Sequence, residues 1–313
     1  MDQFLQQVIN GVQLGSIYAL IALGYTMVYG VLRLINFAHG DVFMIGAFVG
    51  YYTVGYLKIG QQPSHTAALF ALLPVLLLTM IACALLGFII ERLAYRPLRR
   101  APRLTALITA IGVSLLLVNG GQLIFKADPK FFPPVTPQGA AATLKVGGLI
   151  LSKDQMVLVA AAALLMAVLW YIVQRTRIGK AMRAVSHDAD AAALMGINTD
   201  TVISFTFALG AALAGAGGML FAALTYAKIL PTIGTTMGLK AFVAAVVGGI
   251  GSIPGAMLGG LLMGLSESFV KGASRIGSFE PSRWTDAVAF VLLILVLLVR
   301  PAGLLGRFAP EKV

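Results

Sequence analysis

The chain has 313 residues, of which 59% are hydrophobic and only 11% are charged. Soluble domains carry about 25% charged residues, and disordered chains combine low hydrophobicity with high charge, so both classes are excluded. The composition is that of an integral membrane protein. The net charge of +11 calls for no nucleic-acid partner, because basic residues accumulate in the cytoplasmic loops of membrane proteins. The lipid bilayer is the expected surroundings.

Residue types that build metal sites and disulfides are scarce. The chain has one cysteine and three histidines, with no CxxC or paired-histidine spacing. We therefore expect neither an intrachain disulfide nor a metal site. The first residues, Met1-Asp2-Gln3, carry no basic segment, which predicts that the first apolar block is a retained span and not a cleaved signal peptide.

Apolar blocks along the chain predict eight or nine transmembrane helices. A spanning helix needs about 20 mostly apolar residues. The blocks that meet or approach this length lie at 3–32, 42–57, 59–90, 104–125, 155–174, 201–227, 241–266 and 284–299. Glycine and proline interrupt the block at 241–266, which predicts a broken or re-entrant segment near 241–260. The predicted fold is an all-α polytopic bundle, with residues 1–313 forming one membrane domain.

Basic residues predict the orientation of this bundle. They concentrate in the loops 91–103 and 175–200 and in the C-terminal tail. Alternating spans place these three segments on one side, which the positive-inside rule makes cytoplasmic. The proline-containing loop 126–154 then lies outside, and nine crossings would place the N-terminus there too.

Small residues recur at four-residue spacing within the predicted spans. Such spacing lets helix backbones approach closely in a membrane. Examples are Gly11/Gly15, Gly46/Gly50, Gly210/Ala214/Gly218, Gly255/Gly259 and Gly260/Gly264. The pattern favours packing within the chain, and a seam with a second membrane subunit is the alternative.

Polar residues in or beside the spans are candidates for a translocation pathway or gate. Asn36, His39 and Asp41 lie between the first two spans. Buried polar groups in a membrane usually line a cavity or a helix break, although Asn36 or Asp41 could instead cap the second helix. Asn119 is a further cavity candidate. Glu267 is another pathway candidate, for which an ion pair with Lys271 at i+4 is the alternative.

The glycine-rich break could be a nucleotide-binding motif or an interruption of a membrane helix. Gly249 and Gly251 begin a run that resembles GxGxxG, but Pro254 replaces the third glycine and no strand precedes the run. A dinucleotide site requires a strand, a turn and a helix start, so we predict a discontinuous membrane helix whose free backbone groups line the pathway. The sequence has no GxxxxGK[ST] motif, so we do not expect this chain to bind ATP.

The loop 175–200 predicts a short helix on the cytoplasmic side. Ser186 is a suitable N-cap, and Asp188 and Asp190 suit the positive end of the helix dipole. An alanine run follows, and Gly196 is a natural residue for ending the helix. This helix is too short to span a membrane, which favours docking of a partner over an inert connection.

These residues carry a family resemblance. The run 190–198 resembles the EAA-type loop of ABC importer permeases, with Asp190 in the place of the usual glutamate. The runs 34–41 (LINFAHGD), 240–259 and 300–305 (RPAGLL) extend the similarity over almost the whole chain. Together they resemble the LivH-type permeases of branched-chain amino-acid ABC importers.

The resemblance implies a function and a set of partners. The chain would be a permease in the bacterial inner membrane, paired with a second related permease. Two cytoplasmic ATPases would bind ATP and Mg²⁺, and a periplasmic binding protein would deliver leucine, isoleucine or valine, although related permeases carry urea or short amides. No cofactor and no enzymatic activity are expected in this chain. The predicted coupling residues are Arg183, Asp188, Asp190, Ala191, Ala192 and Gly196.

Two other classes are weighed against this assignment. A secondary transporter or channel working alone is expected to carry charged groups for ion coupling within its spans, and the long spans here are almost uncharged. An intramembrane enzyme would need a GxSxG serine with a distant histidine, an HExxH pair or paired membrane aspartates, and none of these occurs in the sequence.

Overall fold

The protein was analysed as a computed structural model, which describes residues 2–99, 101–146, 148–225, 228–273 and 280–306. These ranges contain eleven α-helices. They are α1 (Asp2–Leu32), α2 (His39–Tyr56), α3 (His65–Ile90), α4 (Arg103–Phe125), α5 (Lys153–Arg175), α6 (Arg177–His187), α7 (Ala189–Leu194), α8 (Thr199–Leu224), α9 (Ile233–Gly248), α10 (Ile253–Gly272) and α11 (Thr285–Val299). A π-helical turn (Glu91–Tyr95) and a 3₁₀ turn (Arg96–Leu98) extend α3, and a 3₁₀ turn (Pro281–Trp284) precedes α11.

The predicted all-α membrane fold is confirmed. Among the described residues, seven helices, some with their flanking turns, are long and apolar enough to cross a membrane: α1, α3, α4, α5, α8, α10 and α11. The 18-residue α2 and the 16-residue α9 pack among them. The predicted count of eight or nine is reached only if α2 or α9, or both, also lie in the membrane.

Close contacts between glycines and neighbouring helices hold the centre of the bundle together. Helix α1 packs along α10, where a Cβ on Gly260 would lie 2.5 Å from the backbone of Ala19. Helix α2 packs on α8 in the same way, since a Cβ on Gly46 would lie 2.5 Å from the backbone of Gly215. The four-residue spacing of small residues therefore serves packing within the chain, as predicted.

The predicted external loop contains three of the four short strands in the described residues, and the fourth follows α8. Strands β1 (Lys130–Phe131) and β4 (Lys228–Ile229) pair antiparallel, as do β2 (Thr143–Val146) and β3 (Leu149–Ser152). The β2–β3 hairpin lies against the start of α1, because the Gln6 amide bonds both the N–H and the carbonyl of Ile150 at 3.0 Å.

The basic segments gather at the opposite end of the molecule. Arg96 and Arg99 from the loop after α3 both bind Asp200 at the start of α8. The turn after α9 lies at the same end as the end of α1, where Gly30 faces Gly251. The tail from residue 307 onward lies outside the described residues.

The predicted break near 241–260 is a tight turn between two antiparallel helices. Gly249 and Gly251 both have positive φ, at +104° and +93°, a conformation that favours glycine. The next helix, α10, begins where the Ser252 hydroxyl accepts a 3.2 Å bond from the Gly255 N–H. The RPAGLL run closes over this turn, since the amides of Leu304 and Leu305 donate 2.9 Å bonds to the carbonyls of residues 247 and 248.

Candidate functional site

The predicted coupling segment is a pair of helices, α6 and α7, between the spans α5 and α8. Helix α6 turns sharply from α5 at Thr176, whose hydroxyl accepts a 3.2 Å bond from the Gly179 N–H. A Cβ on Gly179 would overlap the last carbonyls of α5, so glycine permits this approach. Arg183 donates to the Val173 carbonyl. The predicted coupling residue Arg183 therefore ties α6 back to α5.

Asp188 caps α7, and the predicted cap at Ser186 is wrong. The Asp188 carboxylate accepts bonds from the N–H groups of Asp190 (3.0 Å) and Ala191 (2.9 Å). Ser186 lies inside α6, where its hydroxyl donates to the Arg183 carbonyl at 2.9 Å. The physical reason is that α6 continues to His187, so the backbone first becomes extended at residue 188.

Gly196 ends α7 as predicted. Its φ is +83°, and its N–H donates to the Ala193 carbonyl at 3.0 Å. The next amide, that of Ile197, donates to the Ala192 carbonyl at 3.0 Å. These two bonds are the Schellman arrangement that closes a helix end. The short helix is thus capped at both ends by its own residues.

One side of α7 is anchored and the other side is free. Ala192 is buried, whereas Asp190 and Ala191 are exposed. The next two large side chains project outward, because Leu194 is 90% and Met195 is 83% exposed. The tip of this short, doubly capped helix therefore carries a compact apolar surface that the described chain leaves uncovered.

A cluster of charges, here called the α3–α8 clamp, lies directly beside the coupling segment. It consists of Glu91, Arg96, Arg99, Asp200 and Ser204. Arg99 bridges Glu91 and Asp200, and Arg96 also binds Asp200. The Ser204 hydroxyl donates to Glu91 at 2.5 Å. The clamp therefore joins the end of α3 to the start of α8.

Asn36 and Asp41 lie inside the bundle and not at a helix cap. The Tyr95 hydroxyl donates to the Asn36 side chain at 2.8 Å, and the Ser114 hydroxyl donates to Asp41 at 2.5 Å. Ala38 is the residue that begins α2, without a side-chain cap, so the capping alternative is wrong. Both side chains instead bond residues outside α2, namely Tyr95 and Ser114.

His39 is buried beside the same segment. Its ring packs edge-on against Tyr25 at a centroid distance of 4.8 Å, in space that exists because residue 24 is a glycine. Its Nε2 atom and the Oδ1 atom of Asp41 have no hydrogen-bond partner among the described residues. Buried polar atoms normally find partners, so this region keeps unused capacity for hydrogen bonding. The pathway role of these residues stays a prediction.

Glu267 is the centre of a charge cluster, here called the α10 cluster. It forms the predicted ion pair with Lys271 at 2.8 Å. It also accepts from Lys240 at 3.0 Å and from the Tyr18 hydroxyl at 2.6 Å. Lys240 in turn binds Asp286 at 2.7 Å. The cluster therefore connects α1, α9, α10 and α11.

Asn119 occupies a different environment. Its side chain is exposed on α4 and its amide donates to the Leu115 carbonyl of the same helix at 2.7 Å. Within the described chain, the structure does not bring Asn119 together with the other pathway candidates. Gly249 and Gly251 lie in the α9–α10 turn and Pro254 is the second residue of α10, so none of the three lies beside His39 or Glu267.

Comparison with known proteins identifies the family. The family model described as the branched-chain amino acid transport system permease component matches residues 7–297. The chain belongs to this permease family. It is 44% identical to the high-affinity branched-chain amino-acid transport permease BraD of Pseudomonas aeruginosa, over 99% of this chain and 98% of BraD. It is also 44% identical to LivH of Escherichia coli, with the same coverage. A probable branched-chain amino-acid permease of Methanocaldococcus jannaschii is 28% identical over 93% of this chain and 89% of that protein.

This permease is a membrane transport component and not an enzyme, in agreement with the resemblance. Several residues of the candidate site could not be identified from the sequence alone. Leu194 and Met195 lie between the predicted coupling residues Ala192 and Gly196, and two large apolar residues at the end of an alanine-rich helix were a usable signal. Lys240, Arg99 and Asp286 gave no local signal, because their partners lie far away in the sequence.

Proposed function

We propose that this permease forms, with a second related permease, the pathway that carries leucine, isoleucine or valine into the cytoplasm. Two ATPases bind ATP and Mg²⁺ and dock on the α6–α7 segment of each permease, and a periplasmic binding protein delivers the substrate. The chain lies in the bacterial inner membrane, with the C-terminus and the loops 91–103 and 175–200 on the cytoplasmic side. Family membership and the clustering of basic segments at one end support this arrangement.

The exposed tip of α7 is the observation that carries the proposal. Leu194 and Met195 are almost fully solvent-exposed at the basic end of the molecule. Exposure of large apolar side chains to water is energetically unfavourable. A groove on a partner protein would bury both. Asp190, one turn earlier and also exposed, adds a charge that would orient the contact.

The clamp provides a route from this contact to the spans. Asn198 accepts a 3.0 Å bond from the Thr201 N–H, which fixes the start of α8 directly after the turn at Gly196. Asp200 then binds Arg96 and Arg99. A displacement of α7 would therefore move the start of α8 and the end of α3 together, as rigid-body alternating access requires.

The test uses the complete importer in proteoliposomes. We replace Leu194 and Met195 together by serine, and we use Tyr56→Ser as the matched control. Tyr56 is 87% exposed and lies at the opposite end of the molecule, since Gln62 beyond it bonds Val135 of the external loop. The double variant should lose most substrate-stimulated ATP hydrolysis and uptake while the amount of permease in the membrane stays the same.

Two outcomes would contradict the proposal. Full ATP-driven uptake by the double variant would show that α7 is not the docking element. Uptake by the permease alone, without ATPases or ATP, would assign it to the secondary transporters. Replacing leucine with urea or a short amide in the same assay tests the substrate, because only the branched-chain amino acids should stimulate ATP hydrolysis.

A further inference from the structure

An open groove lies between α3 and α8 on the outer face of the clamp. Its volume is about 420 Å³. One part of its wall is apolar and is formed by Phe88, Phe205 and Ala208. Both phenylalanines keep more than a third of their surface exposed. The groove thus offers aromatic and aliphatic surface that this chain leaves uncovered.

The other part of the groove carries positive charge. Arg92 and Arg96 line it together with Asp200. Within the clamp, Arg96 and Arg99 are balanced by Glu91 and Asp200. Arg92 is exposed and has no ion-pair partner among the described residues. The mouth of the groove therefore keeps one uncompensated positive charge beside a second guanidinium group.

The position along α3 places the groove at the edge of the membrane. The outward side chains before it are apolar, namely Leu85, Phe88 and Ile89. The arginines of the loop 91–103 begin directly after them. Such a change from apolar to basic residues marks the membrane–water boundary, where arginine meets the level of the lipid headgroups.

We infer that this groove binds an anionic phospholipid. The headgroup phosphate would bind Arg92 and Arg96, and one acyl chain would lie along Phe88, Phe205 and Ala208. Arginine suits a phosphate because its donors match two phosphate oxygens at once. Basic pockets between helices on the cytoplasmic side are known to bind anionic headgroups. The apolar wall distinguishes a lipid from a free phosphate, which would use the arginines alone.

The experiment measures lipid binding to the intact transporter complex in a neutral detergent by native mass spectrometry. Phosphatidylglycerol is titrated, with phosphatidylcholine as the uncharged reference. Arg92→Gln should weaken phosphatidylglycerol binding by about fivefold, as expected for one basic residue at a membrane surface. Arg177→Gln is the matched control, because it removes an equally exposed arginine of α6 that does not line the groove.

A second variant separates the two chemical parts of the groove. Phe88→Ala keeps both arginines and should also weaken phosphatidylglycerol binding, while competition by inorganic phosphate should stay weak. Equal effects of Arg92→Gln and Arg177→Gln would overturn the inference. Displacement of the lipid by inorganic phosphate, with no effect of Phe88→Ala, would also overturn it, because the groove would then be a simple anion site. Lipid binding only after removal of the ATPases would overturn it too, because the groove would then be a protein-docking surface. The inference rests on the orientation given under the proposed function, but its readout is binding and not transport, so the two can fail separately.

Discussion

The central and peripheral helices of this permease differ in how much of their apolar surface is buried within the chain. In the central helices α1 and α8, 78% and 83% of the most apolar segment is buried within the chain, against 17% in α4 and 11% in α11. The central helices are rich in glycine and alanine at their contacts. The peripheral helices are rich in exposed leucine, isoleucine and valine.

The difference follows from what drives helix association in lipid. Apolar side chains gain little by leaving lipid for protein, so central helices must associate through close backbone contact and polar bonds. The α10 cluster and the buried residues of the segment 34–41 fit this logic. The exposed leucines of the peripheral helices need only be compatible with an apolar environment such as lipid. Substitutions of one type should therefore act very differently in the two regions.

The largest difference is expected for glycine replaced by leucine. Gly260→Leu must separate α10 from α1, because even a Cβ there would lie 2.5 Å from Ala19 backbone atoms, and overpacking of this kind is not absorbed by a side-chain movement. We expect little folded protein in the membrane fraction. Gly112→Leu on α4 has open space at the Cβ and should leave the amount of folded protein unchanged. Similar folded amounts of the two variants, by fluorescence-detected gel filtration, would refute the distinction.

The second largest effect is expected when the central charge of the α10 cluster is removed. Glu267→Gln leaves Lys240 and Lys271 with Asp286 as the one remaining carboxylate of the cluster among the described residues. Removing one partner of a buried ion pair costs about 3–5 kcal/mol, so the thermal unfolding temperature in detergent should fall strongly. The control is Arg283→Gln in the pair with Glu280, where the arginine side chain is 78% exposed. An exposed pair contributes at most about 1 kcal/mol. An unchanged unfolding temperature in Glu267→Gln would mean that the α10 cluster is not a structural tie.

Gly196→Val should affect coupling more than stability. The residue has φ +83° with nothing near its Cβ, so valine would bring backbone strain of about 1–2 kcal/mol but no clash. We expect normal amounts in the membrane and a loss of substrate-stimulated ATP hydrolysis. Gly139→Val is the matched control, because Gly139 has φ +77° and an equally open Cβ and lies in the loop 126–154, away from α7. Equal transport in the two variants would argue against α7 as the coupling helix.

The sequence was informative wherever a structure depends on neighbouring residues. The end of α7 at Gly196 and the Glu267–Lys271 pair at i+4 are local and were predicted correctly. The glycine spacing within α1, α2 and α10 also predicted real contacts. Ser186 was a wrong cap because tertiary contacts decide where α6 ends. Burial of Val185 and the bond from Arg183 to α5 hold α6 together for two more residues.

Contacts between distant segments could not be predicted in the same way. Lys240 meets Glu267 across 27 residues, and Arg99 meets Asp200 across 101. No periodicity within a helix encodes which helices become neighbours. The surroundings of Asn36 and Asp41 could not be predicted for the same reason, since their hydrogen-bond partners are the tyrosine at position 95 and the serine at position 114.

The smallest effect is expected for Asn119→Leu on α4. The Asn119 side-chain amide already donates a hydrogen bond to the Leu115 carbonyl of its own helix. Its exposed neighbours on that helix include Leu116 and Leu123. If this face meets lipid, leucine should change stability by no more than about 0.5 kcal/mol, as surface substitutions generally do, and uptake should stay unchanged. A matched substitution, Thr109→Leu, removes another exposed polar group that bonds its own helix, at 2.9 Å to Thr105. A large fall in uptake for Asn119→Leu alone, at normal folded amounts, would show that this part of α4 faces the pathway or the second permease. The outer surface of the bundle would then be divided between lipid and transport function, and not reserved for lipid as the burial pattern of this chain implies.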